Sequence, residues 1–269
     1  MTKIPVSPKL LSELLTQESE HLSKVLSVSV GPTPTCKYLH WDNLRHRTPP
    51  NGLTSEQWWL AVKFARFGMQ RNLPLKDKFG TPFTFSTPPL VTQYLHEIDS
   101  RGSGRIAMPS EVSSPETKTR FLVRSLIEEA ITSSQLEGAS TTRKKAMEMF
   151  RSGKRPTNKS EQMIFNNLRG MEFIRQNQGE PLTQRLVLAI HSEMMKDTID
   201  DKDLGRLQTI DDKRVDVISN VTHKVVHEPP PADQLPDRLN TMCNFANGIG
   251  ETEFFHPVVR AILLHLWLA

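Results

Sequence analysis

Apolar positions recur at three- and four-residue spacing through most of this chain, and only one short stretch alternates with the period of a strand. Leu10 to Leu26 carries such a pattern and is followed by the breaker-rich turn Gly31-Pro32-Thr33-Pro34, which predicts a short, peripheral N-terminal helix. A second helix is predicted to start at Thr54 or Ser55, with Trp58, Trp59, Val62, Phe64 and Ala65 on one face. Between Leu73 and Pro89 the chain is crowded with Pro, Gly and Phe, which predicts an irregular surface connection, and Leu90 to Asp99 reads as a further helix.

The middle of the chain is predicted to be helical throughout. Leu122, Val123, Leu126, Ile127, Ala130, Ile131 and Ser134 form one apolar stripe, with Arg124, Glu128 and Glu129 on the other side and Gly138 as a stop. Helices are then predicted near Thr141 to Phe150, from a capping-box-like start at Asn158 to Glu161 as far as about Gln176, and from Pro181 to about Lys196. The strand signal is Arg214 to Ile218 and Val221 to His227, joined at Ser219-Asn220 as a β-hairpin. Pro229-Pro230-Pro231 ends it, and a helix carrying Leu235, Leu239, Met242, Cys243 and Ala246 follows. The last helix, after His256-Pro257, is apolar on nearly every face and reads as core.

Composition narrows the class. The 269 residues suffice for one large domain or two modest ones, and the negative mean hydropathy suits a globular protein. Two distant cysteines, Cys36 and Cys243, offer no disulfide framework and suit a reducing compartment, so the cytoplasm is expected. The N-terminus lacks the features of a signal peptide, and the apolar run from Ala261 is too short to span a bilayer. A net charge of +4 is spread along the chain. Its densest basic group, Arg143, Lys144 and Lys145 with Arg151, Lys154 and Arg155, lacks interleaved aromatics and reads as a solvated face, so nucleic acid is not the expected partner.

Metal and phosphate motifs are weak. His223 and His227 on a strand would stand about 13 Å apart, too far to share an ion. The chain has no HExxH or paired CxxC, so no metal site is expected. Arg101-Gly102-Ser103-Gly104-Arg105 lacks the Lys-Ser/Thr of a P-loop and reads as a linker.

The most informative run is Ser133-Ser134-Gln135-Leu136-Glu137-Gly138. Ser133 and Glu137 lie four apart, so a helix presents the hydroxyl and the carboxylate together. Taken alone, a Glu before a capping Gly is a common and solvated helix end. In context the run resembles the (S/T)xxxE(G/N) inhibitory motif of the Fic (Fido-domain) family, with Ser133, Glu137 and Gly138 at its three defining positions. The resemblance extends from about Tyr38 to the C-terminus through YLHWDNLRHRTPP, TTRKKAMEMFRSGKRPTNKSEQMIFNNLRGMEFI, VVHEPPPADQL and FFHPVVRAILLHLWLA.

That resemblance implies a mainly α fold: an N-terminal helical region over residues 1–112, then an inhibitory helix and an incomplete Fic-like core over 113–269 with one small β-hairpin. It implies that the hairpin is a flap that docks a protein substrate by strand-like pairing through Val215, Asp216, Val217, Val225 and Val226. It implies AMP transfer from ATP, with Mg²⁺, to a protein hydroxyl, restrained when the Glu137 position pairs with an arginine of the active-site motif. That motif, HxFx(D/E)GNGRxxR, does not occur in the sequence. His256-Pro257 continues into Val-Val-Arg-Ala, matches the helix before the motif, and is not assigned as the catalytic base. The chain is therefore expected to stop short of the catalytic loop and to transfer no AMP by itself, and uncovered apolar surface around Val258 to Leu268 would favour self-association. Two other readings stay open: a regulatory fragment acting in trans on a second Fic chain, and a helical nucleic-acid binder. The hairpin, likewise, reads either as a docking flap or as a small stabilising ribbon.

Overall fold

A computed structural model describes residues 5–102, 115–219 and 223–268. The fold is mainly helical, with two small antiparallel hairpins. Its contacts divide into two compact units, Met1–Arg105 with Val217–Val226, and Ile106–Asp216 with His227–Ala269. Among the described residues no helix is long and apolar enough to cross a membrane.

In the first unit α1 (Leu11–Gln17), α2 (Leu22–Ser27) and α3 (Trp41–Leu44) pack on α4 (Ser55–Phe67). The sequence predicts one peripheral helix at the N-terminus. Instead a 3-10 turn at Ser19–His21 breaks it in two, and Leu14 and Val25 are buried with Trp58, Trp59 and Leu60. The stretch is held because its apolar positions complete a core that α4 cannot close alone. Thr54 caps α4 in a reciprocal pair with Gln57, 3.2 Å and 3.1 Å. Near its end Arg66 is buried: its guanidinium donates to the Pro32 and Leu39 carbonyls at 2.9 Å and 3.0 Å and lies 3.8 Å from the Tyr38 ring.

The predicted irregular connection is instead an antiparallel pair, β1 (Arg71–Lys76) and β2 (Pro82–Phe85). Leu73 and Leu75 alternate inward and are buried, while Pro74 is exposed, where a missing donor costs the ladder little. Asp77 closes the turn by accepting from the Phe79 and Thr81 amides, both at 2.8 Å. The predicted helix after it is α5 (Pro89–Gly102). Of the predicted linker, Arg101 and Gly102 belong to α5, and residues 103–105 lie outside the described residues.

The second unit is a run of helices: α6 (Pro115–Leu136), α7 (Arg143–Ser152), α8 (Lys159–Gln176), α9 (Gln184–Met195), α10 (Leu235–Ala246) and α11 (Pro257–Leu268). α8 packs between α6 and α9, and α10 touches both α9 and α11. Only the C-terminal part of the α6 stripe is covered: Ala130, Ile131 and Ser134 are buried, whereas Leu122 and Val123 stand exposed. Beside that bare half, α6, α8 and α9 enclose an apolar groove of about 680 Å³ lined by Leu122, Leu126, Met171, Ile174, Leu186 and Ile190.

α11 departs from the expectation of a buried core helix. None of its described residues is buried, and Ile262, Leu266 and Leu268 are 54%, 67% and 64% exposed. Its support comes from the α10 side, where Arg260 donates to the Phe245 carbonyl at 2.6 Å and to Glu251 at 2.7 Å. The uncovered apolar surface expected over Val258 to Leu268 is present.

Asn158 caps α8, but Glu161 does not return to it as a capping box would require. Glu161 is buried, accepts from the Thr157 amide and hydroxyl at 2.8 Å and 2.7 Å, and pairs with Lys145 of α7 at 2.6 Å. The Lys145 ammonium and the two Thr157 donors hold its carboxyl down at about 2. Its native value lies below the unfolded one of about 4.3, so its stabilisation is complete above that pH and is lost as pH falls through about 2. Acid titration followed by circular dichroism is expected to show native stability falling from about pH 5 to pH 2, with a shallower fall in Glu161→Gln. An unchanged slope in that variant would remove Glu161 from the acid response.

Candidate functional site

The segment Ser133 to Gly138 forms the closed C-terminal end of α6. The Ala139 amide donates to the Ser134 carbonyl at 2.9 Å, and the Gly138 amide to the Gln135 carbonyl at 3.1 Å. This is the paired 6→1 and 5→2 closure of a Schellman motif, with Gly138 at φ +96° supplying the left-handed residue and Ala139 buried behind it. Glu137 is the capping residue. Its amide still donates to the Ser133 carbonyl at 3.1 Å, so Ser133 and Glu137 share one helical turn as their spacing predicts.

The interior side of this turn is fixed by side chains. Ser134, 3% exposed, accepts at its hydroxyl from Asn167 of α8 at 3.2 Å. Gln135 reaches over the closure and donates to the Thr141 carbonyl at 2.8 Å. About two turns earlier on α6, Glu128 is clasped by Arg143 of α7 through two guanidinium nitrogens, Nε and Nη2, which draws its carboxyl below the ordinary range. The outward side is different. Ser133 is half-buried, Glu137 is exposed, and neither side chain meets a polar partner among the described residues. The turn is therefore a rigid support carrying an uncommitted carboxylate, at a helix end whose own dipole does nothing to neutralise it.

The second candidate element is the ribbon β3 (Val217–Ile218) and β4 (Val225–His227). It is shorter than predicted. Arg214, Val215 and Asp216 precede the strand, and of the predicted junction, Ser219 accepts from His223 at 2.8 Å and donates to Lys224 at 2.9 Å, while Asn220 lies outside the described residues. Five flap residues were predicted: Val217, Val225 and Val226 lie in strands, and Val215 and Asp216 lie in the approach. All five are exposed, Val215 at 71%.

The approach to the ribbon is braced where sequence patterns gave no warning. Arg206 binds Asp212 through two bonds of 2.7 Å and 2.9 Å and also pairs with Asp203, which draws the Asp212 carboxyl far below its ordinary range. The Thr209 amide donates to the same Asp212 carboxylate at 2.6 Å. Arg214 then donates to the Pro230 carbonyl, tying the segment before the ribbon to the one after it. These partners are three to sixteen residues apart across irregular chain, where no period exposes them. Asn167 is equally hard to see, because an Asn in mid-helix commonly faces water.

The donor set that would hold Mg²⁺ is not found: among the described residues there is no group of three or more His, Cys, Asp or Glu side chains that could hold an ion. Cys36 is exposed, whereas Cys243 is buried in α10 and its thiol is pushed up by that burial. No family model, no curated protein and no solved structure matches the chain.

The Schellman closure and the uncommitted carboxylate make separable predictions. Gly138→Ala forces a side chain into the left-handed region and is expected to lower the unfolding free energy by about 1 kcal/mol. Glu137→Gln is expected to change it by less than about 0.5 kcal/mol. Denaturant unfolding measures both, and a destabilising Glu137→Gln would mean that the carboxylate already has a structural partner.

Proposed function

We propose that this chain carries the autoinhibitory helix and the target-docking ribbon of a Fic-type protein AMP-transferase. The observation that carries the reading is the Glu137 carboxylate: exposed, without a polar partner among the described residues, and presented beside Ser133 at the end of a helix locked by Gly138 and by the Ser134–Asn167 bond. Such a group is preorganised for a cation that none of the described residues supplies. An arginine of the HxFx(D/E)GNGRxxR motif is the cation that the sequence resemblance names, and that motif is not among these 269 residues.

The ribbon supports the same reading. Its two short strands leave outer backbone edges and exposed Val217, Val225 and Val226, which suits addition of an extended peptide by strand pairing. The Arg206–Asp212 and Arg214–Pro230 ties brace the chain on either side of it, which lowers the ordering cost of such docking.

ATP and Mg²⁺ would supply the transferable AMP, but their ligands and the base for the attacking hydroxyl belong to the absent motif, so no chemical step is assigned to residues here. What this chain contributes is restraint. A carboxylate that occupies the motif's arginine denies it to the γ-phosphate, and a second Fic chain could receive it in trans.

The test uses radiolabelled ATP and a Fic core stripped of its own inhibitory segment. This chain alone is expected to label no protein. Added to that core it is expected to cut labelling roughly tenfold or more, as loss of one charge-assisted phosphate contact would. Glu137→Gly is expected to abolish the inhibition while leaving the fold intact. Labelling by this chain alone, or inhibition indifferent to Glu137→Gly, would contradict the reading.

A further inference from the structure

Every member of the basic group from Arg143 to Arg155 is exposed, as a solvated face requires, but the side chains differ in their partners. Arg143 is spent on Glu128, Lys145 on Glu161, and Lys154 faces Glu148 at 3.8 Å. Arg155 instead lines a cavity of about 440 Å³ formed by the α7–α8 connection, α8 and the end of α9. Three cations converge there from three stretches of chain: Arg155, Arg169 of α8, and Lys196 just after α9.

The walls are built rather than accidental. Asn166, 1% exposed, donates to the Met194 carbonyl at 3.2 Å and the Lys196 carbonyl at 2.5 Å, and accepts from Gln162 at 2.8 Å. This fixes the backbone that carries Lys196 against α8. Phe165 supplies an apolar wall and is itself stacked on Phe150, with rings 6.5 Å apart and inclined by 16°.

The charges decide the ligand class. Glu193 and Asp197 also line the cavity, and Glu193 faces Arg169 at 3.6 Å. Arg155 and Lys196 meet no acceptor among the described residues, so two cationic donors remain uncommitted beside one aromatic wall. Three cations against two carboxylates leave the lining one net positive charge, which suits a single small anion better than a polyanionic strand.

We propose that this cavity binds a small phosphomonoester, with the phosphate between Arg155 and Lys196 and the organic part against Phe165. The site is independent of the Glu137 turn and of the AMP-transfer reading, and neither result depends on the other.

Phenyl phosphate is the probe, titrated into the full chain and followed by calorimetry and by amide shifts of Gln162 and Asn166. One-to-one binding with a Kd below about 1 mM is expected. The double substitution Arg155→Ser/Lys196→Ser is expected to weaken it roughly tenfold or more. Lys144→Ser/Arg151→Ser removes the same charge from exposed residues outside the cavity and is expected to leave Kd unchanged. Because all four side chains are exposed, equal thermal midpoints are expected and report that both variants fold. Absence of saturable binding, or equal weakening by both doubles, overturns the proposal. Vesicles containing phosphatidic acid are expected not to sediment the chain; sedimentation lost only in the Arg155/Lys196 double would assign the site to a lipid headgroup and overturn the free-ligand proposal.

Discussion

Three polar side chains on one helix hold the second unit in register, and each faces a different neighbour. Glu161 of α8 takes Lys145 from α7, Asn166 takes the terminal carbonyls of α9, and Asn167 takes the Ser134 hydroxyl of α6. Apolar burial alone would let these helices slide, since an aliphatic face has no preferred register. Buried donors and acceptors do not slide, because an unmade bond in the interior costs about 1–3 kcal/mol. The Asn167–Ser134 bond matters most, because it fixes the turn on which Ser133 and Glu137 are displayed. That contact seats the turn against α8, the local Gly138 closure ends the helix and leaves the carboxylate outward, and together they give the proposed capacity to meet an arginine.

The unit pairs a firm inner side with a bare outer one. α6 is buried along Ala130, Ile131 and Ser134 but exposed at Leu122 and Val123, and α11 is half-exposed along its length. Polar interactions compensate where burial is thin: Arg260 ties α11 to Phe245 and Glu251, and Arg206 ties the loop before the ribbon to Asp203 and Asp212. Such ties set backbone position without hiding the surface.

Elements with strong period and clear caps were legible in the sequence. Thr54, Asn158 and Gly138 all mark ends that the structure has, because capping depends on residues within one turn. Three features were not legible, each for a physical reason. The β1–β2 pair was hidden because Pro74 and the Phe-Gly-Thr-Pro loop outweigh the two-residue alternation of Leu73 and Leu75. The burial of Leu14 and Val25 depends on partners in α4, some thirty to fifty residues away. The exposure of α11 was expected only through the family resemblance and not from its own residues, because an all-round apolar pattern says what a helix tolerates and not what lies beside it. Within the candidate site, Ser133, Glu137 and Gly138 were singled out by the resemblance to a family motif, whereas Asn167, Arg206 and Arg214 act across distances that no period encodes.

The account rests on Glu137 serving a partner's arginine, and a double-mutant cycle between this chain and a Fic core isolates that pair. The four affinities of native chain or Glu137→Gly for native core or core with the motif's arginine changed to Ala give one coupling energy. The account predicts a coupling of about 1.5 kcal/mol or more, as for a hydrogen-bonded charge pair largely removed from water. Additive losses, with a coupling near zero, would contradict it even if the two proteins bind.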